Sequence, residues 1–215
     1  MSKPRHFKPI QKNWYAYIQQ LFPCVLCQME RSAYAGLCAD CWNNLPWALT
    51  QIQRSELNIH IACYYEYPLN SMMLHYKYHQ QLVYKSLFVQ LLLQLNLPKV
   101  QAVVAMPIST QRLAERGFNQ VLELAKAFAK LKNIPVWQPV IRKNAQHQKG
   151  LSRAERLVNI DEQFHIIKSE YGKYQQILVL DDVVTTGNSL HALQTALRQL
   201  GCKQLHFACV AGAIL

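Results

Sequence analysis

The stretch Gln176-Ile-Leu-Val-Leu-Asp-Asp-Val-Val-Thr-Thr-Gly-Asn-Ser189 decides how this chain folds. Residues 177–180 form a short, unbroken apolar run rich in branched side chains, the pattern of a strand buried on both faces. Asp181 and Asp182 follow at once, then Val183 and Val184. Next comes the hydroxyl-rich turn Thr185-Thr186-Gly187-Asn188-Ser189, and after it an amphipathic run over residues 190–200, closed by Gly201, that predicts a helix. Strand, acidic pair, small turn and helix, in that order, build a phosphate site. The first N–H groups of a helix have no intrahelical partner and can cradle an anion together with the hydroxyls of Thr185, Thr186 and Ser189. Gly187 would let the backbone come close to the ligand. Asp181 and Asp182, at the carboxyl end of the strand, could accept hydrogen bonds from two vicinal hydroxyls of a sugar. No Gly-Lys-Ser/Thr is present, so the turn is not a Walker A loop. An ordinary strand–turn–helix whose acids serve only as caps is the plainer alternative.

Working outward, 215 residues leave room for one ordinary domain and a small appendage, and 51% hydrophobic residues supply a true core. The formal net charge of +11 favours an anionic partner such as nucleic acid, a nucleotide or a membrane surface. Residues 1–12 are polar and basic, without the apolar stretch and cleavage site of a secretory signal. Residues 87–97 are the most apolar run, too short for a membrane span and interrupted by Gln90 and Gln94. A cytoplasmic location without a membrane span is therefore expected, and there seven cysteines point to metal or free thiols rather than disulfides.

Four of those cysteines lie in two C-x-x-C knuckles, Cys24/Cys27 and Cys38/Cys41, with ten residues between. This is the spacing of a four-cysteine zinc ribbon. Four thiolates, each about 2.3 Å from one Zn2+, close the coordination shell and make the ion structural rather than catalytic. Cys63, Cys202 and Cys209 lack partner spacing and read as small core residues. His75 and His79 have i, i+4 spacing but no third ligand nearby.

The remaining elements follow from periodicity. Residues 1–20 predict an arm and short helix, and residues 47–56 a connector. Residues 59–67 read as a strand, and residues 69–77 and 82–95 as helices. Residues 100–105 are a second buried strand, 119–132 a helix, 137–141 a third strand and 164–167 a short one, with a last strand over 204–210. The polar, basic segment 142–159 is too long for a plain connection. Alternating strands and helices from residue 100 onward predict a doubly wound parallel sheet, whose ligands sit beyond the carboxyl ends of the strands.

Residues 176–189 resemble the PRPP-binding motif of type I phosphoribosyltransferases. The resemblance extends over nearly the whole chain to the ComF family. It is carried by the cysteine knuckles, Tyr67, Lys77-Tyr78, Pro107, Arg116-Gly117-Phe118-Asn119-Gln120 and the Gln148…Leu151…Arg156…Asn159 pattern. It implies an α/β fold with a type I phosphoribosyltransferase-like parallel sheet and a small N-terminal zinc ribbon held by four cysteines. The division expected is an arm and ribbon over residues 1–58 and the phosphoribosyltransferase-like domain over 59–215.

The resemblance also implies roles. The loop of Val183, Val184, Thr185, Thr186, Gly187, Asn188 and Ser189 would bind the 5-phosphate of PRPP. Asp181 and Asp182, the catalytic candidates, would bind its ribose. Arg112 and Arg116, with Mg2+, would hold the pyrophosphate. Ser109 stands where His or Arg-like residues are common in the family, which shifts weight onto those two arginines, and Ala145 stands where Thr is common, which weakens any role for a hydroxyl there. Members act in natural transformation, on DNA taken up by the cell, so single-stranded DNA and competence proteins such as a helicase are the expected partners. Arg153 and Arg156 are the candidate DNA contacts, although segment 142–159 could equally close over the PRPP site. The sequence leaves little beyond Gly212 for a nucleobase pocket. A phosphoribosyltransferase of nucleobase salvage with unknown acceptor is the alternative.

Overall fold

The computed structural model describes residues 21–78, 81, 83–142 and 164–214. At its centre is a five-stranded sheet in the order β1-β2-β7-β6-β3. The strands are β1 (Trp47–Arg54), β2 (Leu57–Tyr64), β3 (Ala102–Ala105), β6 (Gln176–Val184) and β7 (Gln204–Gly212). Strands β2, β7, β6 and β3 are mutually parallel, whereas β1 runs antiparallel along the edge. Helices α1 (Ala39–Asn43), α2 (Leu69–Tyr78), α3 (Val83–Leu93), α4 (Thr110–Arg116), α5 (Gln120–Lys132) and α6 (Asn188–Gln199) complete the described helices.

The middle strands are apolar on both faces because helices cover them, as parallel sheets require. Ile177, Leu178, Val179 and Leu180 of β6 are buried, as are Ala102, Val103, Val104 and Ala105 of β3 beside them. Helices α3 and α5 pack against each other, and Leu178 shares its face of the sheet with Phe128 of α5. Tyr76 of α2 is fully buried there. Its hydroxyl donates to the Gln120 carbonyl oxygen (3.1 Å), and its ring meets Phe88 and Phe118 edge-on. Cys63, Cys202 and Cys209 are indeed buried, and burial holds all three thiols protonated, well above the ordinary thiol range.

Several predicted elements differ. Residues 47–56 are not a connector. Residues 47–54 are strand β1, and Ser55 and Glu56, both at positive φ (43° and 66°), turn the chain into β2. Such a two-residue hairpin usually announces itself with Asn-Gly or Asp-Gly, and Ser-Glu does not. The strand expected over 59–67 is shifted to Leu57–Tyr64 by the same turn. The third strand expected over 137–141 does not join the main sheet. Pro135 and Pro139 lack N–H groups, so only a single parallel bridge, Val136 to Val103, forms there. Residues Val140–Arg142 (β4) instead pair antiparallel with Phe164–Ile166 (β5) in a separate ribbon. The arm over 1–20, His79, Ala145, and the pattern Gln148, Leu151, Arg153, Arg156 and Asn159 lie outside the described residues.

The helix predicted from residue 119 has Asn119 as its N-cap. The side-chain oxygen accepts from the N–H groups of Val121 and Leu122 (3.0 and 3.1 Å), and its nitrogen donates to the Met106 carbonyl at the end of β3 (3.3 Å). One residue therefore caps α5 and ties it to the carboxyl edge of the sheet. Asn119→Ala is expected to cost about 1–2 kcal/mol in urea unfolding, because both functions vanish together. Asn119→Asp, which keeps only the cap, should recover part of that loss.

Candidate functional site

Two clusters of chemistry-bearing side chains stand apart in the fold. In the first, the sulfur atoms of Cys24, Cys27, Cys38 and Cys41 all lie within 4.8 Å of one another. Each knuckle is a tight backbone turn. Gln28 N–H donates to the Cys24 carbonyl (2.9 Å), and Cys38 caps α1 by accepting from the Cys41 N–H (3.4 Å). Cys27 and Cys38 sulfurs are 3.8 Å apart. Four ligands about 2.3 Å from a tetrahedral centre are themselves about 3.8 Å apart, so the set fits a metal such as zinc. The Glu30 and Met29 backbone N–H groups aimed at Cys27 lower its thiol to about 6, as a metal ligand requires. Cys38 and Cys41 are pushed up by burial. Trp42 anchors the knuckles by stacking on Tyr34 and meeting Trp47 edge-on, while the Trp47 indole N–H donates to the Trp42 carbonyl (2.9 Å).

The second cluster is at the carboxyl end of β6. Here the strand is longer than the apolar run. It continues through Asp181 and Asp182 to Val184, with Asp181 opposite Cys209 and Val184 opposite Gly212 on β7. Thr185 and Thr186 turn the chain, Gly187 caps α6 at φ 84°, and α6 begins at Asn188, earlier than residue 190. No side chain caps this helix, so its leading N–H groups are left for a ligand. Asp181 and residues 183–190 line a hollow of about 80 Å³, the scale of a phosphate group rather than a nucleotide.

The β1–β2 hairpin backs the loop. Arg54 donates from Nε to the Thr185 carbonyl (3.1 Å) and from a terminal nitrogen to the Ala213 carbonyl (3.1 Å). The Ser55 hydroxyl lies 2.8 Å from the Thr186 carbonyl and 2.7 Å from Asn188 Oδ1. Gly187 meets a second demand for glycine here: a Cβ would stand 2.8 Å from the Arg54 Cβ, so the hairpin itself comes too close for a side chain.

The two acids do not act as a pair. Successive strand residues face opposite sides of a sheet, and Asp181 and Asp182 are successive. Asp182 points toward α2 and α5. It is 6% exposed, ion-paired to Lys77 (2.9 Å), and near the Gln120 side-chain nitrogen (3.4 Å). Asp181 lines the hollow instead. Burial, then the neighbouring Asp182 charge, raises its carboxyl to about 7. Val183 and Val184 both border the hollow, Val184 from a buried position in the sheet.

The arginines separate likewise. Arg112 is exposed on α4, the helix capped by Ser109, whose hydroxyl accepts from the Arg112 N–H (3.3 Å). Arg116 stacks on the exposed Tyr78 ring (4.9 Å) and donates to its hydroxyl (3.1 Å). Lys77 and Tyr78 thus serve Asp182 and Arg116 respectively. Sequence reasoning missed Arg142 and Arg54 as site residues. Arg142, at the end of β4, reaches Ser189 Oγ (3.4 Å) and feels the charges of Arg112 and Asp181. Arg142 could have been suspected from the basic segment that it opens. Nothing in the sequence near Arg54 pointed to the loop.

The split between the acids gives opposite forecasts. Asp182→Asn strands Lys77 in a largely buried position, a loss on the order of 3 kcal/mol, or roughly 6–12 °C in Tm. Asp181 has a folded-state pKa above its unfolded value near 3.9. Its contribution is therefore fully present below about pH 4 and is lost as pH rises toward about 7. Asp181→Asn should accordingly raise Tm by a few degrees at pH 8 and change it little at pH 4.5. Thermal melts of both variants across that range provide the check.

Comparison with known proteins adds to this geometry. Residues 115–214 match the phosphoribosyl transferase domain model. The chain is 28% identical over 199 residues to competence protein F of Haemophilus influenzae, covering 86% of this chain and 82% of that protein. It is 29% identical over 188 residues to competence protein ComFC of Bacillus subtilis, covering 83% and 72%. It is 28% identical over 142 residues to ComFC of Streptococcus pneumoniae, covering 66% and 62%. With four clustered cysteines ahead of a parallel α/β sheet and a phosphoribosyl transferase match across its β6–α6 loop, the chain is similar to these competence proteins over most of its length.

Proposed function

We propose that this protein binds PRPP with Mg2+ at the β6–α6 loop and acts in natural transformation, where its DNA partner is single-stranded. The observation that carries this reading is the hollow in which Asp181 and the loop 183–190 face one another. A phosphate seated on the helix N-terminus leaves the attached ribose beside the Asp181 carboxylate. Arg112 and Arg116, on the α4 side, are the cations for the pyrophosphate. The competence names of the relatives support the biological setting.

PRPP carries its leaving group on C1 of the ribose. Departure of pyrophosphate leaves positive charge on the sugar and negative charge on the leaving group. A site of this kind works by positioning the ligand and by holding the separating charges with fixed groups. Asp181, which lines the hollow, is the carboxylate we assign to the ribose. Asp182 holds Lys77 and keeps the strand end in register. Mg2+ would neutralise the phosphate oxygens and keep most of its waters, as that ion prefers.

Zinc is the metal we assign to Cys24, Cys27, Cys38 and Cys41. Single-stranded DNA binding rests on the +11 net charge and on exposed aromatic side chains such as Phe22 and Tyr67, which offer stacking faces. Arg153 and Arg156 remain the proposed contacts. Among the described residues no helix is long and apolar enough to cross a membrane.

Four measurements test these assignments. Calorimetric titration of PRPP with Mg2+ should show binding that Asp181→Asn weakens about tenfold to a hundredfold, the loss of one charge-assisted hydrogen bond. No PRPP binding by the parent protein ends the reading. Release of pyrophosphate with one particular nucleobase would make it a salvage enzyme instead. Fluorescence anisotropy with oligonucleotides should give an affinity that falls steeply with salt and varies little with sequence, and a salt-independent affinity would refute DNA binding. Elemental analysis should find one zinc per chain, and chelation should lower Tm and shift Trp42 and Trp47 emission.

A further inference from the structure

Arg142 is a partly buried cation that has no ion-pair partner among the described residues. Burial disfavours its charge, and the neighbouring Arg112 disfavours it further. Its hydrogen bond to Ser189 Oγ is long, at 3.4 Å, and Ser189 stands in the first turn of α6, the positive end of that helix. No carboxylate among the described residues forms an ion pair with it. Asp181 offers only a longer-range attraction, and with its carboxyl raised to about 7 it carries a partial charge at neutral pH. The Phe164 ring, 5.8 Å away, is a weak counterweight.

Two positive features therefore meet at one spot, the Arg142 guanidinium and the open N-terminus of α6, and the charge of Arg112 adds to the field there. An anion held by Arg142 and the first turn of α6 would offset both. The same spot borders the hollow lined by Thr185 to Leu190. We propose that Arg142 is a ligand-binding residue of the β6–α6 loop, clamping a terminal phosphomonoester such as a ribose 5-phosphate against the first turn of α6, and that Arg112 and Arg116 are left to bind a second, separate anionic group.

The chemistry selects the ligand class. A phosphomonoester presents three free oxygens and close to two negative charges, enough for a planar guanidinium fork, the helix N–H groups and the hydroxyls of Thr185, Thr186 and Ser189. An internal phosphodiester of DNA presents two free oxygens and one charge, and leaves part of that donor set unpaired. Lysine cannot reproduce the fork, although it keeps the charge.

This inference rests on the phosphate-loop reading proposed above, and the test separates the two. Inorganic phosphate, ribose 5-phosphate, Mg2+-pyrophosphate and PRPP are titrated by calorimetry into the parent, Arg142→Met and Arg142→Lys. Methionine keeps the apolar stem against Phe164, and thermal melts identify any variant that fails to fold. The expected result is a tenfold to hundredfold loss of ribose 5-phosphate affinity in Arg142→Met, partial recovery in Arg142→Lys, and pyrophosphate affinity unchanged within about twofold. Unchanged ribose 5-phosphate affinity in a folded Arg142→Met, or an equal loss for both ligands, overturns the assignment while leaving PRPP binding intact. Arg142-dependent binding of phosphate and ribose 5-phosphate by a parent that does not bind PRPP supports the clamp and overturns the PRPP reading. A parent that binds none of the four overturns both.

Discussion

A carboxylate that lies inside the protein must find a cation, and that requirement organises the carboxyl edge of this sheet. Asp182 sits in the strand β6 with its side chain turned toward the helical layer, 6% exposed. Lys77 reaches it from the last turn of α2 at 2.9 Å, and Gln120 approaches from the first turn of α5. The Gln120 carbonyl in turn accepts from the buried Tyr76 hydroxyl, one residue before Lys77 on α2. Two helices from distant parts of the chain are thereby located against one strand end. Losing one partner leaves a desolvated charge, which costs more than the pair contributes when intact. The contact therefore specifies an arrangement more than it stabilises one. With Asp182 committed inward, its neighbour Asp181 is directed to the opposite face, where it borders the phosphate-sized hollow.

The loop beyond β6 is shaped from behind. Arg54 donates to the Thr185 and Ala213 carbonyl oxygens, and Ser55 approaches Thr186 and Asn188. These bonds satisfy the backbone carbonyls of the turn, so its N–H groups and hydroxyls are the ones left for a ligand. Gly187 is needed because the hairpin comes so near that no Cβ fits and because its φ is positive. An edge strand that the sequence leaves inconspicuous thus prepares the binding loop. The same strand receives the cysteine knuckles through the Trp42 and Trp47 contact. The cysteine cluster and the β6–α6 loop are thus both in contact with the β1–β2 hairpin.

Much was legible in the sequence, each part for a local reason. The apolar run before the acids, the hydroxyl-rich turn and the amphipathic run after it specify strand, loop and helix from neighbouring residues alone. The two C-x-x-C knuckles specify their own turns and bring four sulfurs together, as the cluster within 4.8 Å shows. Asn119 before an apolar period marks the start of α5. What the sequence concealed was long-range. Strand β1 has a polar, half-exposed pattern and a hairpin turn without glycine, so only pairing with β2 reveals it. Residues 137–141 look like a sheet strand, yet the prolines at 135 and 139 divert the chain into a separate ribbon that ends in Arg142.

The sequence by itself determined the fold class, the four-cysteine set and the strand–turn–helix around the hollow, because each rests on side chains close together in the chain. Tertiary structure alone decided which acid faces the hollow, that a Cβ at residue 187 would meet the hairpin, and that Arg142 joins Ser189. Those outcomes depend on strand register, on the face to which each residue alternates, and on contacts between residues far apart in the chain. A one-residue difference along β6 is invisible as composition, yet it sends Asp181 to the hollow and Asp182 to Lys77.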